Sequence, residues 1–156
     1  MMNRPWLLIA LRLPILFTLL MVSAFSSQAQ TVTIDWETLA TVEYRTSKKE
    51  KGGHTFQKPS FSDTLLALEG ERVQLAGYML PLTVDQELYI LSKFSFTECF
   101  FCNPSSGKES VIELRLRGEG KHYRLDAPMR WEGVLTLSKD PYELSFILTD
   151  AVPVKE

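Results

Sequence analysis

From residue 72 to residue 149 apolar and polar residues alternate with a period of two, the pattern of strands that keep one face against a core. In the first such run Val73, Leu75, Gly77 and Met79 share one face, and Gln74, Ala76 and Tyr78 share the other, until Pro81 stops it. Residues 88–91 predict a second, short strand. Residues 111–117 alternate most cleanly, with Ile112, Leu114 and Leu116 against Glu113, Arg115 and Arg117. Gly118-Glu119-Gly120 then turns the chain into an extended Tyr123-Arg124-Leu125. Residues 131–137 follow, with Gly133 marking a bend or bulge. After a turn at Pro141, residues 142–149 close the set, Leu144, Phe146 and Leu148 alternating against Ser145, Ile147 and Thr149. Five or six short strands with no long helix between them predict a mainly β fold. The leading expectation is a small, partly open antiparallel β-barrel of the OB type, with a β-sandwich as the alternative.

Upstream, the pattern predicts two short helices. Asp35 can cap a turn in which Trp36, Leu39 and Ala40 fall on one face. Ser62 or Asp63 can cap a second turn carrying Leu65, Leu66 and Leu68, and Gly70 stands where a left-handed residue ends it. Val42 and Tyr44 begin an extended stretch. Residues 45–58 are polar and break the pattern; with Lys48, Lys49, Lys51 and Gly52-Gly53 they read as a solvated surface loop rather than a functional basic patch.

The first 29 residues have a different character. Arg4 and Arg12 flank an uncharged apolar run, and Ser27-Gln28-Ala29 places small residues where a signal peptidase reads them. The expectation is a signal peptide over 1–29, an N-terminal extension over 30–58 and a barrel domain over 59–156. That places the protein in the bacterial periplasm or cell envelope. The apolar run is short of the roughly 20 residues that cross a bilayer, so no stable membrane span is expected after cleavage. The net charge of -2 offers no basic face for phosphates, so nucleic acid is not an expected partner.

Charge elsewhere suggests little chemistry. No nucleophile elbow, phosphate loop or zinc-protease motif occurs. The carboxylate pairs Asp35/Glu37 and Glu69/Glu71 sit at predicted element ends, where capping explains them. Arg115, Arg117, Arg124 and Arg130 can line a wet face opposite Glu113 and Glu132; cross-strand pairing is the ordinary reading, an anion or lipid-headgroup site the sharper one.

The candidate chemistry lies in the connection over residues 93–110. It holds both cysteines, as Cys99-Phe100-Phe101-Cys102, with Phe94 and Phe96 just before them. Unstructured loops of this length are uncommon in compact domains and are often functional. Three readings compete for the pair. A disulfide would fix local loop shape. Two thiolates would make half of a soft-metal site, for zinc or copper(I), to be completed by Glu98, Glu109, His122 or His54. Thiol–disulfide exchange is the third, weakened because the pair lies between strands rather than at a helix N-terminus. Haem attachment needs a histidine after Cys102, where Asn103 stands.

Several of these pieces occur together in a recognisable order. Trp36-x-x-Leu39-Ala40, Pro59-x-Phe61, Leu68-Glu69-Gly70-Glu71-Arg72-Val73, Gly77-Tyr78-Met79-Leu80-Pro81 and the Cys-Phe-Phe-Cys loop ending in Glu109-Ser110-Val111 resemble a family of small exported bacterial proteins catalogued as a domain of unknown function. The resemblance covers residues 36–134. It implies an envelope location and a small β-rich domain, and it brings no established activity. Asn103-Pro104 departs from the glycine expected after the second cysteine. Together these features predict a non-enzymatic accessory or adaptor domain that binds an envelope protein through Phe94, Phe96, Phe100, Phe101 and the cysteines. A zinc- or copper-binding protein and a thiol oxidoreductase are the alternatives.

Overall fold

The computed structural model describes residues 30–46, 56–82, 88–118 and 122–155. The expected signal peptide, Lys48 to Gly53, His54 and the Glu119-Gly120 turn lie outside the described residues. The elements are β1 (Val32–Thr33), α1 (Trp36–Leu39), β2 (Glu43–Thr46), β3 (Gln57–Ser60), α2 (Asp63–Leu68), β4 (Arg72–Pro81), β5 (Tyr89–Ser92), β6 (Val111–Leu116), β7 (Ala127–Leu137) and β8 (Phe146–Pro153).

Five strands form the barrel expected from the alternation, in the order β4-β5-β6-β8-β7 and back to β4. It differs from the expectation in two details. The barrel is closed, because β4 and β7 pair antiparallel from Arg72↔Val134 to Met79↔Ala127. It is also mixed, because β8 inserts between β6 and β7 and runs parallel to β6. Alternation reports which residues face a core; it does not report the direction of a neighbouring strand. Gly133 marks a bulge, as its sequence context predicts: the β7–β8 register shifts between Glu132 and Val134.

Tyr123-Arg124-Leu125 is not a strand. Asp126 has φ 59°, so the chain turns there directly into β7. Tyr123 instead sets its ring edge-on to Trp131, at 5.2 Å, and to Tyr89, at 5.9 Å. The polar stretch over 45–58 is not all loop either. Its two ends are strands, since β2 and β3 pair from Glu43↔Ser60 to Thr46↔Gln57.

The main core fills the barrel with Val73, Leu75, Met79, Leu91, Ile112, Trp131, Leu135, Phe146 and Leu148. The segment before the barrel belongs to the same core. Leu39 of α1 and Leu65 of α2 have no exposed surface. Asp35 caps α1 by accepting from the Thr38 N–H at 2.8 Å, and Ser62 caps α2 through the Leu65 N–H. Ala40, expected on the buried face, is exposed as the C-cap of α1. Trp36 Nε1 donates to the Ala76 carbonyl at 2.8 Å, which ties α1 to β4. Gly70 has φ 82° and donates its N–H to the Leu135 carbonyl at 2.8 Å, so the left-handed turn expected there joins α2 to the barrel.

A second, smaller core lies on the other side of the sheet: Leu80, Ile90, Cys99 and Val111, with Phe100 and Leu144 packed against it. All four residues of β5 are buried, so the strand is covered on both faces.

The arginines behave mainly as paired surface charges. Arg115 bonds Glu113 and Glu143 at 2.7 and 3.1 Å. Arg72 bonds Glu132 at 3.3 Å and Asp150 at 2.7 Å, and Arg117 also bonds Asp150. The hydrogen bonds from Arg117 and then Arg72 hold the Asp150 carboxyl well below the usual carboxylate range. A lowered folded-state pKa gives stability above the unfolded carboxyl value, near about 3.9, that is lost as pH falls through and below it. Asp150→Asn should therefore be less stable than the parent chain at about pH 7, and the gap should narrow towards about pH 3, as read by urea unfolding at both values.

Gly77 has no room for a side chain. A Cβ there would stand 2.5 Å from the Ser92 carbonyl oxygen, a backbone atom of the paired strand, and 3.0 Å from Trp36. Gly77→Ala should cost about 1–3 kcal/mol of stability in thermal or denaturant unfolding, because β4 and β5 must separate to admit the methyl group.

Candidate functional site

The connection over residues 93–110 is tied down at every turn. The Lys93 N–H donates to the Ser110 carbonyl at 2.9 Å and closes its base. Lys93 Nζ reaches Glu37 of α1 at 3.0 Å. The Phe96 N–H donates to Asp126 Oδ1 at 2.7 Å, which joins the loop to the start of β7. The Cys99 carbonyl accepts from the N–H groups of both Cys102, at 3.1 Å, and Asn103, at 2.8 Å, so the motif is a single tight turn. Short 3₁₀ turns follow at Pro104–Ser106 and Lys108–Ser110. Gly107, at φ 78°, lies between them.

This bonding decides where the motif points. Cys99 is fully buried in the outer core between Leu80, Ile90 and Val111, while Cys102 is exposed. Phe100 is half-buried against that core. Phe101 is exposed and stands edge-on to Phe100, with ring centroids 5.7 Å apart. The Cys102 thiol is pushed up, first by desolvation and then by the neighbouring Cys99 thiol, with which it hydrogen-bonds. A raised thiol holds a smaller thiolate fraction at neutral pH than the lowered thiols of exchange catalysts.

Beside the turn lies a groove of about 400 Å³. Its floor is apolar: Leu88 and Ile90 of the β5 region and Leu144 before β8. Phe100 and Phe101 make one wall, and Pro141 and Tyr142 make the other. The rim carries Lys108, Glu113, Asp140 and Glu143. A second hollow, of about 480 Å³, shares Gln57, Phe100 and Lys108 with it and extends to Tyr44 and Glu109. The far wall is as firmly held as the near one. Asp140 Oδ1 accepts from the Tyr142 N–H at 2.8 Å, and Ser138 donates to Glu143 at 2.7 Å. Arg115 bridges Glu113 and Glu143 beneath the rim. Tyr142 is 85% exposed, and its ring forms a T-shaped pair with Phe56, centroids 5.7 Å apart.

The loop residues singled out in the sequence divide into two groups. Phe100 and Phe101 line the groove. Phe94 lies half-buried under Lys93 Nζ, and Phe96 is exposed near Asp126; neither lines the groove. Among the described residues no group of three or more His, Cys, Asp or Glu is placed to hold a metal ion. Glu98 is exposed and uses its backbone carbonyl to accept from Ser106, Glu109 faces the second hollow, and His122 is exposed. His54 lies outside the described residues. The sequence reading missed the Asp140-Pro141-Tyr142 wall. Its turn chemistry was visible, but only the insertion of β8 beside β6 brings it opposite the cysteine loop.

No protein-family model and no curated protein matches the chain. Among solved structures, a DUF3299 family protein from Pseudomonas aeruginosa PAO1 is similar, with a TM-score of 0.43 and 11% identity over 81% of this chain and 98% of that one. That protein is a domain of unknown function, and the similarity carries no activity to this site.

The burial contrast within the motif has a direct consequence. Cys99→Ser, which puts a hydroxyl into an apolar cluster, should cost about 1–3 kcal/mol. Cys102→Ser should stay within about 0.5 kcal/mol of the parent chain. Denaturant unfolding of reduced protein measures both.

Proposed function

We propose that this protein is a non-enzymatic binding module of the bacterial envelope that holds an extended, basic and apolar segment of a partner protein in the groove beside Cys99–Cys102. The observation that carries this reading is the groove itself: an apolar floor on the outer face of the barrel, between two aromatic walls that hydrogen-bonded turns keep in place. Rigid walls lower the entropy cost of binding. Exposed aromatic rings around an apolar floor are the side chains that most often dominate protein interfaces.

The rim argues for the chemistry of the occupant. Glu113, Asp140, Glu143 and Glu109 surround the two hollows, against Lys108 and the bridging Arg115. Carboxylates outnumber cations, so a segment that alternates lysine or arginine with aliphatic residues is complementary in both charge and shape. The export reading rests on the leader-like first 29 residues. No helix among the described residues is long and apolar enough to cross a membrane.

The test is fluorescence anisotropy with the full mature chain and a short labelled peptide that alternates lysine with leucine. Phe101→Ala and Tyr142→Ala should each weaken binding about tenfold, the size of a typical interface anchor. Phe96→Ala, on the same loop but away from the groove, should leave it unchanged. Replacing lysine with glutamate in the peptide should also weaken binding. Equal affinity for parent, Phe101→Ala and Tyr142→Ala would sink the docking reading.

A further inference from the structure

The two residues enclosed by Cys99 and Cys102 are the two rings that make the near wall of the groove. The thiols and the binding surface therefore share one turn of chain. That turn is already closed. The Cys102 N–H bonds back to the Cys99 carbonyl at 3.1 Å, and a turn so closed brings its end Cα atoms within about 7 Å, close to the span of a disulfide. Cys99 is locked in the outer core, and Phe100 rests against that core. Phe101, at the exposed side of the turn, stands edge-on to Phe100 with ring centroids 5.7 Å apart. Cys102, at the exposed end, is the thiol of the pair that an external reagent can reach.

We infer that a reversible disulfide between Cys99 and Cys102 controls this site: the closed bond fixes the Phe100–Phe101 wall in its binding arrangement, and reduction loosens it. The inference rests on the docking reading above and adds its regulation.

The chemistry needs an external disulfide as oxidant, such as oxidised glutathione or a protein thiol oxidase, and an external dithiol as reductant, which reopens the bond by the same exchange in reverse and is itself oxidised to a disulfide. The Cys102 thiolate attacks one sulfur of that disulfide, forms a mixed disulfide and releases the first external thiol. The Cys99 thiolate then attacks the Cys102 sulfur, forms the internal bond and releases the second. Two electrons and two protons pass to the oxidant, and one internal disulfide replaces one external one. Burial gives the order of events. Cys99 has no exposed surface, so an external reagent meets Cys102 first and only the internal step reaches Cys99. Because the Cys102 thiol is pushed up, the first step should accelerate as pH rises and the thiolate fraction grows.

The experiment compares the full mature chain oxidised with glutathione disulfide against the same chain reduced with a phosphine, with Cys102→Ser under both conditions. This variant removes the bond but leaves the buried Cys99 in its cluster. Intact mass reads bond formation. Anisotropy with the lysine–leucine peptide reads the groove. Fluorine NMR of chain labelled on phenylalanine reads the wall without any ligand, the Phe101 resonance being assigned by its loss in Phe101→Leu. Oxidation should tighten peptide binding about fivefold through preorganisation and sharpen the Phe101 resonance, while Cys102→Ser should match the reduced chain in both buffers. Failure to form the bond overturns the inference. So do equal affinity and an unchanged Phe101 resonance in the two states, which would leave docking intact. If the peptide binds neither state but the Phe101 resonance follows oxidation, the docking reading falls and redox control of the wall stands.

Discussion

The structure depends on covering the outer face of one barrel wall. Leu80 and Ile90 point away from the main core, from strands whose alternate residues Val73, Leu75, Met79, Tyr89 and Leu91 belong to it. Left in water they would form an exposed apolar strip on an otherwise wet surface. The connection over 93–110 covers them, and Cys99 is the side chain that seats it between Leu80, Ile90 and Val111. Burial of that strip is the apolar driving force that keeps an 18-residue connection ordered against its conformational entropy. The hydrogen bonds at Lys93–Ser110, Phe96–Asp126 and Cys102–Cys99 then set its shape. Without the apolar seat they would exchange readily with water.

The cover is incomplete, and the groove is what remains. Cys99 of the loop is buried in the outer cluster and Phe100 packs against it, while Leu88 and Leu144 at the margin of that cluster are only partly buried. Residues 140–145 line the same groove from a second segment of the chain. Opposed aromatic walls over a shared floor follow from two covers that leave a gap. The charges around the gap are mostly tied up with one another, Arg115 serving both Glu113 and Glu143, so they bias what approaches more than they hold the fold together.

Much of this was legible in the alternation along the chain. The barrel strands β4 to β8, both short helices with their Asp35 and Ser62 caps, the left-handed Gly70 and the Gly133 bulge all have local causes that the sequence states. What escaped was long-range. The parallel β6–β8 pairing depends on strand order, which alternation does not encode. The covered β5 reads Tyr89-Ile90-Leu91, an apolar run that does not say what buries its second face. Tyr123 looked like strand because an aromatic beside polar residues fits one; the left-handed turn at Asp126 that follows it instead sets its ring edge-on to Trp131. At the site, the cysteine turn and two of its four phenylalanines were identifiable, whereas Tyr142 and Pro141 gained meaning only from tertiary placement.

Closure of the barrel through β4 and β7 also bears on how the chain reaches this state. The pairing joins Arg72 to Val134, and the edges of both strands stay bare until it forms. A topology so dominated by distant pairs folds slowly for its size, in the millisecond-to-second range typical of β-barrels. During that interval the strip under the cysteine loop and two open strand edges are exposed together. The chain is thus most prone to self-association before closure, and completing the ring is what ends that vulnerability.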